Sequence, residues 1–476
     1  MKAEEARAEY AVRNVGMTTQ RDWSVMTIEE IADVNPRVDK TAIPDDLPVS
    51  FVPMPAVGAG SGSIHVEETR PASEVKKGFT AFLEGDVLFA KITPCMENGK
   101  MAVVPKLVNG YGFGSTEFHV LRPKPGMDAK YLYFYVSSKT FRGEAERYMT
   151  GAVGQKRVST TYLKQSTIPV APPEQQKRIV AEIEKQFSRL DEAVANLKRV
   201  KANLKRYKAA VLKAAVEGRL VETEAELARR EGRSYETGAQ LLQRILETRR
   251  SQWQGKGKYK EPAASDTTDL PELPEGWVWA TVDQLLMSLR NGLSKKPEDS
   301  EPGIPILRIS AVRPLELETN DSRFYRPQAT EHVDGYKLEI GDVLFVRYNG
   351  TKELVGVCAL VSAVTGTLLY PDKLIRGRVV SEQQISPSYL AIAANVGKSR
   401  QHIDELIKTT AGQQGIAGGE IKQMPIPLPP HTEQLRIVAE VDRRLSLLRE
   451  TEAQVDANLQ RAEHLRQSVL QRAFAK

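Results

Sequence analysis

The chain has 476 residues, of which 41% are hydrophobic, 27% charged and 7% aromatic. This balance is typical of globular domains and argues against a collagen-like chain, a largely disordered chain and a membrane protein. The 67 basic and 61 acidic residues give a net charge of +6, which permits nucleic-acid binding without requiring it.

Two cysteines, Cys95 and Cys358, lie far apart in the chain, so a disulfide framework and a cysteine-rich zinc site are both excluded. Residues 1–20 predict an N-terminal extension without the apolar core of a secretory signal. No apolar run approaches the ~20 residues that a membrane span needs. We therefore expect a cytoplasmic protein with no membrane partner.

Residues 21–168 predict a first globular domain. Short strand-like runs punctuated by proline and glycine come between helical stretches at irregular intervals; examples are strands over 87–92 and 117–122 and a helix over 129–137. This pattern is typical of an α+β fold of mixed α/β domains and differs from the regular strand–helix alternation of a doubly wound fold.

A long helix is predicted within the central region 169–270. It covers 174–217, with Glu174 in its first turn and Gly218 as its stop. Its apolar residues recur every seven positions. They are Ile183, Leu190, Leu197, Leu204 and Val211, and Phe187, Val194, Val200 and Tyr207 are assigned to the same stripe. A shorter helical stretch over 235–253 and an extended linker complete the region.

A second globular domain is predicted over 271–426 and a second long helix within 427–476. The helix covers 432–474. Its own stripe is at Val441, Leu448, Val455, Ala462 and Val469, and Leu445, Leu459 and Leu465 are assigned to the same stripe. Two apolar stripes of similar length must both be buried, so we predict that the helices pair as an antiparallel coiled coil. The alternative is that each helix packs separately on its own domain.

The two halves of the chain repeat each other. Three segments return in the same order at a nearly constant separation of about 256 residues, which indicates a tandem duplication. They are 23–28 with 277–282, 85–91 with 341–347, and 168–183 with 426–441. The duplication predicts two similar modules in a pseudo-two-fold arrangement, with the domains separated by the helix pair.

No motif for catalysis stands out in the sequence. The glycine-rich run 58–62 is not followed by the helix start of a phosphate-binding turn, and residues 98–100 lack the preceding glycine of a Walker A loop. The 6 histidines are scattered without metal-ligand spacing. We therefore expect no metal and no cofactor in this chain.

Polar side chains follow the repeated Gly-Asp-Val-Leu-Phe segments, and others lie in a second repeated loop. Arginine, lysine, asparagine and glutamine can bond to guanine and adenine edges, while hydroxyl groups bind phosphates, so we predict DNA contacts here. The predicted residues are Lys91, Thr93, Asn98, Lys100, Gln155, Lys156 and Arg157 in the first module, and Arg347, Tyr348, Asn349, Lys352, Gln413 and Gln414 in the second. The alternative is an ordinary polar rim with glycine-enabled turns.

Together these features resemble the specificity (S) subunit of type I restriction-modification enzymes. The resemblance covers nearly the whole chain. It rests on the tandem Gly-Asp-Val-Leu-Phe segments, the paired proline-rich helix starts and the bridge Leu-Pro-Glu-Leu-Pro-Glu-Gly-Trp over 270–277. It implies two target recognition domains, each reading one half of a bipartite double-stranded DNA target, and two antiparallel spacer helices between them.

The resemblance also implies protein partners. Each half would dock one methyltransferase (M) subunit, which carries S-adenosylmethionine and methylates adenine at N6, and restriction/translocase (R) subunits would join the complex. The chain itself would be non-catalytic. Two other interpretations stay open: a coiled-coil scaffold whose globular ends bind protein, and a stand-alone enzyme such as a fused methyltransferase–nuclease.

Overall fold

The computed structural model describes residues 23–65, 68–152, 154–254, 257–300, 302–328, 331–410 and 413–475. They belong to two compact units, Met1–Arg199 with Val455–Lys476 and Val200–Gln454. The predicted extension over 1–20 lies outside the described residues. Each unit contains a mixed α/β domain and one part of each long helix, so the predicted mixed class is confirmed.

The first unit is built on three small sheets. Its strands are β1 (Ser24–Thr27), β2 (Ala32–Val34), β3 (Pro48–Val52), β4 (Glu68–Pro71), β5 (Thr80–Leu83), β6 (Val87–Ala90), β7 (Met101–Val103), β8 (Tyr111–Gly114), β9 (Phe118–Pro123) and β10 (Thr167–Val170). Its short helices are α1 (Ile28–Ile31), α2 (Ala72–Val75), α3 (Ala129–Val136), α4 (Lys139–Arg147) and α5 (Thr160–Gln165). The sheets have the orders β1-β10, β2-β9-β6-β7 and β4-β3-β8-β5.

In the second unit, two short helices follow the first long helix. They are α7 (Glu224–Glu231) and α8 (Gly238–Ser251). Both begin with a capping box, at Thr223 with Glu226 and at Thr237 with Gln240. Leu241 of α8 is fully buried in the core of this unit, so α8 is part of the domain.

The remaining elements of the second unit form five small sheets. Its strands are β11 (Val278–Thr281), β12 (Leu286–Asn291), β13 (Ile304–Leu307), β14 (Val312–Arg313), β15 (Glu316–Leu317), β16 (Ser322–Tyr325), β17 (Val343–Val346), β18 (Tyr348–Asn349), β19 (Cys358–Leu360), β20 (Leu374–Val379), β21 (Lys408–Thr410), β22 (Gln413–Gly415) and β23 (Pro425–Leu428). Its short helices, in addition to α7 and α8, are α9 (Val282–Leu285), α10 (Pro387–Ala394), α11 (Gly397–Leu406) and α12 (Gly418–Lys422). The sheet orders are β11-β23, β12-β20-β17-β19, β13-β16, β14-β15 and β18-β22-β21.

The duplication in the sequence is repeated in strand order. In the first unit the repeated strand β6 lies between β9 and β7, and in the second β17 lies between β20 and β19. The first strand of each unit pairs antiparallel with its last strand: β1 pairs with β10, and β11 pairs with β23. Both units therefore share a four-stranded antiparallel sheet and a closing strand pair.

Individual hydrogen bonds repeat as well. Asp86 is 1% exposed and accepts two hydrogen bonds from Arg122, each of 2.8 Å. The buried Asp342 accepts from Arg378 in the same way, at 2.6 and 3.3 Å. A buried aspartate that pairs with an arginine in the same way in both units is a stronger sign of duplication than matching residue identities, because each pair requires the same local geometry.

The same repetition occurs where each long helix joins its domain. The hydroxyl of Tyr131 donates to the carbonyl of Pro169 at 2.8 Å, and the hydroxyl of Tyr389 donates to Pro427 at 2.7 Å. The strand that leads into each long helix is therefore held to its domain by the same hydrogen bond.

The long helices are α6 (Pro173–Val216) and α13 (His431–Phe474). Each starts within one residue of its predicted position. Proline at the first helical position and an acidic side chain in the first turn favour the start of α6, and Gly218 at φ +66° follows its end. The heptad positions of the predicted α13 stripe from Val441 to Val469 are buried, as is Leu445, but the assignment of Leu465 to this stripe is wrong, because it is 42% exposed.

Parts of the two helices contact each other inside each unit. In the first unit, the carboxylate of Asp191 in α6 accepts a 2.8 Å hydrogen bond from Arg466 in α13. The same guanidinium lies 4.3 Å from the ring centroid of Phe187. In the second unit, Val211 of α6 and Leu445 of α13 lie in one hydrophobic core. The early part of α6 thus lies with the late part of α13, and the late part of α6 with the early part of α13.

Two residues assigned to the stripe of α6 were wrongly placed. Val200 is 40% exposed and Tyr207 is 48% exposed. Val200 follows Val194 by six positions instead of seven, which turns it away from the stripe by about 100° at 3.6 residues per turn. Tyr207 comes one heptad after Val200 and keeps the displaced position.

Candidate nucleic-acid interface

The first unit brings together the two segments that were predicted to contact DNA. Strand β6 ends at Ala90, one residue before Lys91. The backbone N–H of Thr93 donates to the carbonyl of Lys156 at 3.0 Å, and the N–H of Val158 donates to the carbonyl of Lys91 at 2.9 Å. The end of the repeated strand and the second loop therefore form one edge.

Arg157 on this edge is held by an acidic residue that the sequence analysis missed. Its Nε and Nη2 donate to the two carboxylate oxygens of Glu117 at 2.9 and 2.8 Å. Its Nη1 donates to the carbonyl of Gln155 at 3.0 Å. The hydrogen bond from Arg157 lowers the pKa of Glu117, so this carboxylate stays charged. A guanidinium has five N–H donors, and these contacts leave one each on Nη1 and Nη2 for a further partner.

The other predicted residues of the first unit differ in accessibility. Gln155, Lys156 and Asn98 are exposed. Lys100 is half-buried, and its amine donates to the carbonyl of Met54 at 3.0 Å, so this lysine secures the loop in which it lies.

A buried histidine supports this edge from below. Nε2 of His119 lies 2.9 Å from the carbonyl of Val158, and Nδ1 lies 3.0 Å from Nδ2 of Asn35. The Asn35 carbonyl oxygen accepts from the N–H of Val120, which fixes the amide so that its NH₂ faces the imidazole. Nδ1 is therefore the acceptor and Nε2 the donor of a neutral ring. Burial lowers the pKa of His119, in agreement with this assignment.

The second unit also brings its two predicted segments together, here as a three-stranded ribbon. Strand β18 pairs with β22, and Asn349 stands opposite Gln414. Strand β22 pairs in turn with β21. The pairing continues one residue beyond these strands, because the carbonyl of Arg347 accepts from the N–H of Ile416 at 3.0 Å.

Two side chains of the ribbon have unused hydrogen-bonding atoms. Nε of Arg347 and Oε1 of Gln414 are buried and have no hydrogen-bond partner among the described residues. The guanidinium of Arg347 lies 4.8 Å from the ring centroid of Tyr348. A Cβ at Gly415 would meet that ring, so only glycine lets Tyr348 lie flat on the ribbon. The remaining predicted residues, Lys352 and Gln413, are exposed.

Both edges offer the donors and acceptors that bind nucleic-acid bases and phosphates. Arginine and paired amides present two-point hydrogen bonds, and the neighbouring lysines supply positive charge. Among the described residues we find no cluster of three or more histidine, cysteine or acidic side chains that could hold a metal ion. The arrangement is suited to recognition by hydrogen bonding and charge.

Comparison with known proteins decides the family. Residues 20–206 match the family described as the type I restriction modification DNA specificity domain. The chain is also 31% identical over 395 residues to the type I restriction enzyme EcoKI specificity subunit of Escherichia coli strain K12, covering 81% of this chain and 75% of that protein. This chain belongs to the specificity subunits of type I restriction enzymes.

Further relatives agree with this assignment. The type I restriction enzyme EcoEI specificity subunit of Escherichia coli is 28% identical over 477 residues, covering 88% of this chain and 77% of that protein. The HsdS subunit from Thermoanaerobacter tengcongensis has the same fold, with a TM-score of 0.54, 18% identity, and coverage of 96% of this chain and 98% of that chain. A chain from a structure of the type I R-M system, solved to explain complex assembly and conformational transition, has a TM-score of 0.64 at 18% identity.

The relatives of this chain are specificity subunits, and the matching family is described as a DNA specificity domain. The two long helices of this chain fit the expected coiled coil. Over the described residues, no helix is both long enough and apolar enough to cross a bilayer. The base-contacting roles of the predicted residues stay predictions, and Glu117 and His119 join them as supporting residues.

Proposed function

We propose that each unit reads one half of a bipartite double-stranded DNA target. One arrangement supports this role most directly: in both units the end of a repeated strand lies against a second polar segment. In the first unit Thr93 bonds to Lys156, and in the second Asn349 stands opposite Gln414. Divergent side chains on a shared framework suit proteins that read different bases by the same docking mode.

The two long helices would set the gap between the half-sites. Within the first unit α6 contributes its early part and α13 its late part, and the second unit has the reverse combination. This order is what an antiparallel, pseudo-two-fold pair would give. A rigid helical pair then fixes the number of base pairs between the half-sites, as dimer geometry does in other DNA-binding proteins.

The chain would act as a non-catalytic subunit in a cytoplasmic complex. Two methyltransferase subunits would dock on it, supply S-adenosylmethionine and methylate adenine at N6, and restriction/translocase subunits would join them. The relatives that this chain matches are themselves specificity subunits, which supports a division of labour in which the chemistry belongs to the partners.

A binding experiment on the assembled methyltransferase complex tests this function. The complex should select a bipartite sequence from a random DNA library, and its affinity should fall steeply with salt because phosphate contacts release counterions. A protein scaffold would retain DNA weakly and without sequence preference, and that result would contradict the proposal. A stand-alone enzyme would bind labelled S-adenosylmethionine as the isolated chain.

A further inference from the structure

The second unit has a basic cleft that the sequence analysis did not identify. The cleft has a volume of about 500 Å³. Its charged lining consists of Lys295, Lys296, Arg308, Arg323, Lys373 and Asp372. Among the described residues that line it, Asp372 is the one acidic side chain.

The fold builds this cleft by clamping two turns together. The N–H of Asp372 donates to the carbonyl of Leu293 at 3.0 Å, and the N–H of Leu293 donates to the carbonyl of Tyr370 at 2.9 Å. A Cβ at Gly292 would collide with the carbonyl of Pro371, so this close approach requires glycine. Ser294 comes next, and its hydroxyl donates to the carboxylate of Asp372 at 3.2 Å. The clamp therefore brings the backbone that leads into Lys295 and Lys296 close to the turn that carries Lys373.

Acidic neighbours form ion pairs with the arginines of the cleft, whereas its lysines are less closely matched: Glu331 acts on Lys295 only at longer range. Arg308 and Arg323 share the carboxylate of Asp299, at 3.1 and 2.9 Å. In the described part of the chain, no ion pair is formed by Lys295, Lys296 or Lys373, and the first two are exposed. The cleft therefore has excess positive charge on side chains that can move to meet an anion.

The cleft adjoins the edge that is proposed to contact bases. The N–H of Arg347 donates to the carbonyl of Lys373 at 2.8 Å, so a cleft residue and the residue that precedes the ribbon strand β18 are neighbours, at the ends of the paired strands β20 and β17. An anion in the cleft would lie beside the bases that the ribbon meets. In one strand of DNA, each backbone phosphate likewise lies beside the base pair of its own nucleotide.

We propose that Lys295, Lys296 and Lys373 bind consecutive backbone phosphates next to the half-site of the second unit. This inference depends on the proposed DNA-reading function and adds a defined phosphate-binding site to it. The site contributes affinity and orientation, whereas the ribbon contributes sequence preference.

The test compares salt dependence between two charge-matched double variants of the chain in its methyltransferase complex. Lys295→Ala/Lys296→Ala should make the slope of log affinity against log salt shallower by about 1.8, since each lost phosphate contact contributes about 0.9. Lys258→Ala/Lys260→Ala removes two exposed linker lysines of the same unit and should leave the slope unchanged. Lys295→Arg/Lys296→Arg should also retain it.

Several outcomes would overturn the cleft inference alone. These are an unchanged slope in the cleft variant, an equal decrease in the linker variant, or a change in the selected bases instead of the slope. Thermal stabilisation of the wild-type complex by inorganic phosphate, with no change of slope in the variant, would assign the cleft to free phosphate. If the wild-type complex itself shows no sequence-selective binding, the proposed function fails instead. Lys373→Ala alone should lower the slope by about 0.9 and serves if the double variant misfolds.

Discussion

Glu117 in the first unit and Lys373 in the second occupy equivalent places. The carbonyl of Glu117 accepts from the N–H of Lys91 at 2.9 Å, and the carbonyl of Lys373 accepts from the N–H of Arg347 at 2.8 Å. Both donors directly follow the repeated strand, yet the two acceptor residues have side chains of opposite charge. The same framework therefore carries two electrostatically different edges, which supports the proposal that the two units read different half-sites.

Arg157 is expected to need its planar fork for base recognition. Arg157→Lys keeps the positive charge but removes the two-point geometry that Glu117 orients. The variant complex should lose about 1–3 kcal/mol of discrimination at one G·C pair of the first half-site, with its salt slope unchanged. Competition binding with 7-deazaguanine at each target guanine measures this. Within the first half-site, 7-deazaguanine at one position should weaken binding of the wild-type complex, and at no position should it weaken binding of the variant. Equal losses of affinity in the two complexes would contradict base contact by Arg157.

His119 should make the first unit sensitive to mild acid. Burial lowers its pKa in the folded protein below the unfolded value near 6.5. The unfolded chain therefore binds more protons, and the stability that neutral His119 contributes is present above about pH 6.5 and lost as pH falls below it. Protonation at Nδ1 would set an N–H against the Asn35 amide.

Thermal unfolding between pH 7.5 and 5.5 checks this expectation. The melting temperature of the wild type should fall with pH more than that of His119→Gln. His65→Gln alters an exposed histidine of the same unit and should behave as the wild type does. His431 also has a pKa lowered by burial, so it gives a shared background in every variant. Parallel curves for the wild type and His119→Gln would contradict the assignment.

The sequence contained enough information for the modules and the long helices, because duplication and heptad spacing are regular patterns. It also indicated which segments would meet, since the same two segments are repeated in both modules. It could not indicate Glu117 or Lys373, because residues that differ between the two modules form no repeated motif in the sequence. Lys100 shows the opposite failure: its partner, the Met54 carbonyl, is a backbone atom that no pattern of side chains predicts.

The buried pair of Asp86 and Arg122 should be a main stabilising contact of the first unit. Asp86→Ala leaves the Arg122 guanidinium without its carboxylate and the N–H of Leu83 without its acceptor. We expect a loss of about 3 kcal/mol in the free energy of unfolding, at the lower end for a buried pair because Arg122 is partly exposed. Asp45→Ala breaks a surface pair with Lys76 and should cost clearly less, because this carboxylate is exposed to solvent. Urea unfolding distinguishes them; equal costs would refute the ranking.

The length of the helix pair should determine the gap in the target. Insertion of one heptad into both α6 and α13 adds about 10 Å at 1.5 Å per residue. The unread gap should grow by about three base pairs at 3.4 Å each, with both half-sites unchanged. Selection from a DNA library with variable gaps reads this out. A heptad in one helix alone should disturb pairing and weaken binding to every gap, and an unaltered gap after the double insertion would exclude a ruler.

Exchange of one recognition domain tests the central claim most directly. Residues 271–426 would be replaced by the matching domain of another specificity subunit, and methylated adenines would be mapped across the genome of cells that carry the chimera with its methyltransferase partner. We predict that one half of the methylated motif changes while the other half and the gap stay as in the wild type. A change in both halves, or in neither, would contradict the division of target reading between the two units.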